Sequence, residues 1–212
     1  MDTTKMILLL IFVAVISYFI GSINCSILIS KFFKKDVRES GSGNAGATNM
    51  LRTFGPAIGV ITMLGDFLKT LVPLLITRFV FKDEAYWQAV VAFAGFFCSM
   101  GHAFPIYFGF RGGKAVTVVA MVYLIVDWRV FLIAVLLFVL IVAVTRFVSL
   151  GSMLGALSGP VSMLFFARDG LTNRWFSVSC LFALAIMIVI LHRQNVVRLM
   201  TGKERKFKFK KD

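Results

Sequence analysis

The stretch "AVTVVAMVYLIVDWRVFLIAVLLFVLIVAV", Ala115 to Val144, decides how often this chain turns. It is apolar except around Asp127-Trp128-Arg129. As one fused helix it would cross a membrane once. As a hairpin through Asp127-Trp128-Arg129 it would cross twice, over Ala115–Val126 and Val130–Val144. The first half is short, since a crossing takes about 20 residues. A short helix is tolerable where neighbouring protein shelters it.

Parity selects the hairpin. Lys31, Lys34, Lys35, Arg38 and Arg52 follow the first apolar run. The tail carries Arg193, Arg198, Lys203, Arg205, Lys206, Lys208, Lys210 and Lys211. Basic segments stay in the cytoplasm. Only the hairpin puts both of these segments on one side. Arg111, Lys114 and Arg146 then join them, and only Lys5, Arg78, Lys82, Arg129, Arg168 and Arg174 face outward.

The composition fits that scheme. Of 212 residues 59% are hydrophobic, the net charge is +13, and the mean hydropathy is +0.89. A soluble domain is about half apolar, and here the excess lies in long runs. Backbone groups in lipid must bond internally, so the runs predict helices. They are Ile7–Ile29, Pro56–Phe81, Tyr86–Met100, Ala115–Val126, Val130–Val144, Val148–Ala167 and Trp175–Leu191. The first run is too long for a signal-peptide core and ends in Ser30-Lys31-Phe32-Phe33, so it is retained. No long linker divides the chain. The expectation is an all-α, seven-helix membrane bundle, a single domain over 1–212 with a basic tail at 202–212. Its N-terminus lies outside and its C-terminus in the cytoplasm. Membrane orientation accounts for the positive charge, so no nucleic acid partner is expected. Cys25, Cys98 and Cys180 lie far apart in apolar runs and are expected to pack.

Several short segments are too polar for mere connectors. In "ESGSGNAGATN", Glu39 to Asn49, Gly41, Gly43 and Gly46 fit G-x-G-x-x-G. No strand precedes them and no βαβ unit follows, so this is not a dinucleotide turn. The glycines still permit a loop whose N–H groups converge on an anion. Ser42, Asn44, Thr48 and Asn49 add hydrogen-bonding groups, and Arg52 adds a fork suited to phosphate. The competing reading is an ordinary Gly/Ser connector. In "GHAFPIYFGFRGGKAVT", Gly101 to Thr117, the chain is too apolar for a solvated loop and too broken for a helix. A re-entrant or interfacial hairpin is expected. Gly112 and Gly113 are expected to offer free N–H groups, and Lys114 a charge, to an anion. The bland alternative is an aromatic belt with a cytoplasmic lysine.

In "LHRQNVVRL", Leu191 to Leu199, His192 and Asn195 share a helical face. Asp66 and Lys69 sit at i and i+3 within a span, where charges pair or serve a function. A structural lock is the favoured expectation there. Ser149 opens a helix after Arg146, as a cap or a donor to phosphate. The tail "KERKFKFKKD" suits an anionic leaflet or water equally.

Taken together, "GSGNAGATNMLRTFG", "GDFLK", "GHAFPIYFGFRGGKAVT" and "HRQNVVRL" resemble, in order, the motifs of the bacterial acyl-phosphate:glycerol-3-phosphate acyltransferases, the PlsY family. Ala115-Val116-Thr117 stands where the family commonly has Gly-Val-Ala, and Gln194 where many members have Glu. The resemblance implies transfer of a fatty acyl group from acyl phosphate to the 1-position of glycerol 3-phosphate. Lysophosphatidic acid and phosphate are the products. It implies a cytoplasmic active site in the bacterial inner membrane and no cofactor or metal. The expected partners are the two substrates and membrane lipids, and a monomer is expected.

An acyl phosphate is already activated, so the protein must hold two anions, align a hydroxyl and stabilise an oxyanion. Arg52 and Lys114 are expected to bind phosphates, assisted by His192 and Asn195. The Ser42–Asn49 loop and Ser149 are expected to hold the acyl phosphate and the oxyanion. His102 is the protein's candidate general base, with substrate phosphate as the alternative proton acceptor. Neither His102 nor His192 has an Asp five positions on, which separates this chain from the soluble-type acyltransferases. A transporter of a small phosphorylated solute is the rival class. Its site would lie near the midplane, whereas these motifs crowd one face.

Overall fold

A computed structural model describes residues 2–166 and 171–207. Ala167, the expected end of the sixth helix, and the cations Arg168, Lys208, Lys210 and Lys211 lie outside the described residues, as does Phe209.

The first apolar run is not one helix. It divides into α1, Thr3–Gly21, and α2, Cys25–Phe32. Asn24 causes the break: its side chain accepts from Ile27 N–H at 3.1 Å and so caps α2. Ser22 Oγ donates to Tyr18 O at 2.8 Å. The carbonyls of Gly21 and Ile23, left over by the break, accept from the ammonium of Lys69 at 3.0 and 2.7 Å. The break thus keeps these two backbone carbonyls satisfied inside the bundle.

A short α3, Ala47–Phe54, precedes α4, Pro56–Val80, and α5, Trp87–Ala103. Next come α6, Val116–Val126, α7, Trp128–Thr145, and α8, Val148–Phe166. The bundle closes with α9, Leu171–Leu191, and a short α10, Arg193–Met200. Among the described residues six helical stretches are long and apolar enough to cross a membrane, with α1 and α2 together forming the first. Helix α6 is not one of them. Eleven residues rise about 16 Å, roughly half the hydrocarbon thickness. It packs against α4, α5, α7 and α8, so protein shelters it.

Asp127 separates α6 from α7. It is extended, and its side chain accepts from Arg129 N–H at 2.9 Å, capping α7. The fused helix does not form, because that residue leaves helical geometry to begin the next helix.

Helix α5 lies at the centre, against α1, α4, α6 and α9. It is the most enclosed span, with 67% of its apolar window buried, whereas α7 is the least, with 17%. Exposed Leu132, Leu136 and Leu140 on α7 are the lipid-facing surface expected of such a helix. α1 and α5 touch backbone to backbone. A methyl group on Gly21 would lie 2.1 Å from Cys98 O, and one on Gly101 would lie 2.2 Å from Tyr18 O. This contact fixes where the end of α5 presents His102.

Candidate active site

A cavity of about 720 Å³ opens where the α2–α3 loop, the α5–α6 connection, the α7–α8 turn and α10 meet. One part is polar, with Arg52, Lys114, Ser149, His192, Asn195 and Arg198. The rest runs among Met63, Phe67, Val119, Phe131, Val135 and Phe138, on α4, α6 and α7. Every residue expected to bind or act lines it except Gly41. Asp66 lines it as well, and Lys69 does not.

The polar part is organised around a residue that sequence reasoning missed. Glu204 accepts from Ser149 Oγ at 2.6 Å, Asn195 Nδ2 at 2.7 Å and Arg198 Nε at 2.9 Å. Asn195 Oδ1 in turn accepts from Lys114 Nζ. Burial pushes the Glu204 carboxyl up, but bonds from Ser149, Asn195 and Arg198 outweigh it and hold it below the usual range. The one signal in the sequence was an acid within a cationic run. Ser149 was expected to donate to substrate; here its proton is committed to Glu204. Phe207 N–H donates to Arg146 O at 2.7 Å and Arg205 Nη1 to Gly41 O at 3.2 Å. These bonds hold Glu204 over the cavity.

Lys114 is left with excess positive surroundings. Burial first, then Arg198, lower it to about 8; Glu204 opposes this and Arg52 adds to it. Arg52 keeps access to solvent. Partial burial, then the charge of Arg205, lower it as well.

The glycine loop is less open than its sequence suggests. Asn49 Oδ1 accepts from Ser42 N–H at 2.9 Å, and its Nδ2 donates to Val37 O and Ser40 O. Gly43 N–H bonds Ser40 O and Gly46 N–H bonds Asn44 O. Asn49 is therefore the clamp of the loop rather than a group free to bind substrate, and Ser42, Gly43 and Gly46 do not offer free N–H groups. Gly41 stands behind the wall. What does face the cavity is the start of α3, where the N–H groups of Ala47 and Thr48 have no acceptor within the helix. Thr48 and Arg52 follow one another on one face of it. Asn44 lines the cavity beside them.

Gly112 and Gly113 likewise differ from expectation. Their N–H groups donate to Ala103 O and His102 O, both at 3.1 Å. These two bonds satisfy the last carbonyls of α5 and close the loop 104–111 back onto its end; Ala115 is left-handed, and α6 opens only at Val116. Gly113 has no room for a side chain. A methyl group there would lie 2.3 Å from His102 Nε2 and 2.4 Å from Ala45 O.

The two histidines have opposite partners. His192 ends α9 and opens α10, and its Nδ1 lies 2.8 Å from Ile188 O. A carbonyl only accepts, so Nδ1 carries the proton and Nε2 a lone pair. Burial, then the charge of Lys114, lower His192 to about 4, so it is neutral at working pH. His102 Nδ1 lies 2.8 Å from Lys69 Nζ. An ammonium only donates, so the proton of His102 is on Nε2. The expected general base therefore meets the cavity as a hydrogen-bond donor. Lys69 Nζ also lies 3.0 Å from Asp66 Oδ1 in a buried ion pair.

The profile of a family described as "Glycerol-3-phosphate acyltransferase" matches residues 11–202. A glycerol-3-phosphate acyltransferase of Geobacter sulfurreducens is 41% identical over 194 residues, 91% of this chain and 95% of that one. One of Listeria welshimeri is 38% identical, over 94% of this chain and 98% of that one. The crystal structure of PlsY, an integral membrane glycerol 3-phosphate acyltransferase, superposes in its glycerol 3-phosphate form with a TM-score of 0.82. It is 34% identical and covers 94% of this chain and 96% of its own. Its lysophosphatidic acid form gives a TM-score of 0.82 at 32% identity, covering 94% of this chain and 95% of its own.

Proposed function

This chain belongs to the glycerol-3-phosphate acyltransferase family, and from that premise we propose that it moves a fatty acyl group from an acyl phosphate to the 1-hydroxyl of glycerol 3-phosphate. The observation that carries this is the composite cavity: under-neutralised cations at one part, an apolar channel at the other. Family membership disfavours the solute transporter.

The acyl chain lies among Phe67, Val119, Phe131 and Phe138. Arg52 and Lys114 hold the phosphate of glycerol 3-phosphate, as a fork and a point charge suit it. The N–H groups opening α3 face the acyl phosphate. The hydroxyl oxygen then attacks the acyl carbon, a C–O bond forms, and the bond to phosphate breaks with its electron pair on phosphate. His192 Nε2 accepts a hydrogen bond from the hydroxyl and orients it. At about 4 its conjugate acid is stronger than a phosphate monoanion, whose pKa is about 6. Phosphate is thus the better base and takes the proton. No covalent enzyme intermediate is required.

In the same reading the chain is one domain acting as a monomer, since a single copy lines the whole cavity. It sits in a bacterial inner membrane with seven crossings, α6 serving as the short one. The N-terminus faces outward, and the basic face with the cavity is cytoplasmic. The test is phosphate release by the full chain in lipid, given palmitoyl phosphate with and without glycerol 3-phosphate. Palmitoyl-CoA is the rival donor. Release that needs glycerol 3-phosphate and yields lysophosphatidic acid is expected; turnover with palmitoyl-CoA alone overturns the donor assignment.

A further inference from the structure

Lys69 is buried and outside the cavity wall, yet it controls what His102 can do inside it. An ammonium has three protons. Gly21 O, Ile23 O and His102 Nδ1 take them at 3.0, 2.7 and 2.8 Å. Asp66 supplies the counter-charge: its Oδ1 lies 3.0 Å from Lys69 Nζ and 3.7 Å from His102 Nδ1, the latter beyond hydrogen-bond reach. The C-terminal end of α1 adds the negative pole of its dipole. Charge and geometry therefore both aim the Lys69 ammonium at the ring. The thiols of Cys25 on α2 and Cys98 on α5 also lie near the pair.

A free imidazole exchanges between two neutral tautomers and gains charge near neutral pH. Facing Lys69, His102 has one permitted form. Its Nε2–H emerges beside Gly113 and Ala45, where the second motif meets the glycine loop. We propose that Lys69 is a positioning residue: it holds His102 as the Nε2–H tautomer, making the ring a hydrogen-bond donor to an anionic substrate oxygen and withholding it from service as a base. The inference rests on the acyl-transfer reading for its substrate, and on the bonding around Nδ1 for its tautomer.

The chain contains two histidines, so nitrogen NMR of the full-length, ¹⁵N-histidine-labelled protein in nanodiscs reads both rings. An Nε2–H ring that disappears in a His102→Gln variant is expected, together with an Nδ1–H ring for His192. In the charge-neutral Asp66→Asn/Lys69→Met double variant, His102 is expected to populate both tautomers, with kcat down about tenfold, the value of one hydrogen bond to a charged group. Glutamine can place an amide N–H where Nε2–H stood. His102→Gln should therefore stay within about tenfold of wild type, while His102→Phe falls about 100-fold, as when an oxyanion donor is removed. A rise in KM for one substrate assigns the donor to that phosphate, and a fall in kcat alone assigns it to the developing oxyanion.

An Nδ1–H form of His102 in the wild type overturns the proposal, as does equal inactivity of the Gln and Phe variants. If the double variant does not fold, the wild-type spectrum and the His102 pair decide. Absence of lysophosphatidic acid from the wild type would instead sink the acyl-transfer reading and leave the tautomer result standing.

Discussion

Lys69 and Lys114 are the same side chain in two settings at one end of the bundle. Around Lys69 stand two carbonyls, a ring nitrogen and the carboxylate of Asp66. Around Lys114 stand one neutral acceptor, Asn195, and the charges of Arg52 and Arg198. The carboxylate nearby, Glu204, is shared by Ser149, Asn195 and Arg198. Lys69 is neutralised from within the protein. Lys114 is not, and its affinity for a proton is lowered by burial first and then by the charge of Arg198. Cations gathered with too few anions are stable chiefly when an anion arrives from outside. The contrast separates the groups that build the site from those that wait for a ligand.

The contrast breaks most visibly in stability. Lys69→Met leaves Asp66 buried and unpaired, which is expected to cost about 3–5 kcal/mol; thermal unfolding in detergent should show a lower Tm. Lys114→Met should leave Tm near wild type and instead cut kcat/KM for glycerol 3-phosphate by about 10- to 150-fold, from a charged hydrogen bond of roughly 1.5–3 kcal/mol. A Tm loss as large as that of Lys69→Met would erase the distinction between the two lysines.

A smaller effect tests the charge of Lys114 directly. With its value at about 8, the lysine is charged at pH 7 and about nine-tenths neutral at pH 9. Since the charged form holds phosphate, kcat/KM should fall roughly tenfold between those values and lose this limb in Lys114→Met. The smallest effect sharpens the picture. Glu204 raises the Lys114 value, so Glu204→Gln should move the alkaline limb to lower pH by less than about one unit. Movement to higher pH would show that Glu204 does not act on Lys114 as the geometry requires.

Much of the architecture was legible because apolar runs and cation placement obey simple rules. The Asp127 turn followed from parity alone. The break at Asn24 was less legible, since small polar residues such as Ser22, Asn24 and Ser26 in an apolar run read as tolerated rather than as a cap. The site was legible in which segments meet, from Gly43 through Lys114 to Asn195. Their bonding was not. Asn49 looks like a ligand group until Val37 and Ser40 are seen to claim its amide. Glu204 lies 55 residues along the chain from the Ser149 that binds it, a distance no local pattern bridges. Tautomers are the extreme case: His102 and His192 are identical letters, and only Lys69 and Ile188 tell them apart.

The divided first helix has a further consequence for how the chain enters its membrane. Alone in lipid, α4 would carry Asp66 and Lys69, each costing roughly 2.5–3.5 kcal/mol at a helix centre. Alone, the first span would expose the carbonyls of Gly21 and Ile23. Docked together, each supplies what the other lacks. The two segments act as one another's solvent, and the earlier of them gains its settled form only once the later one has been made.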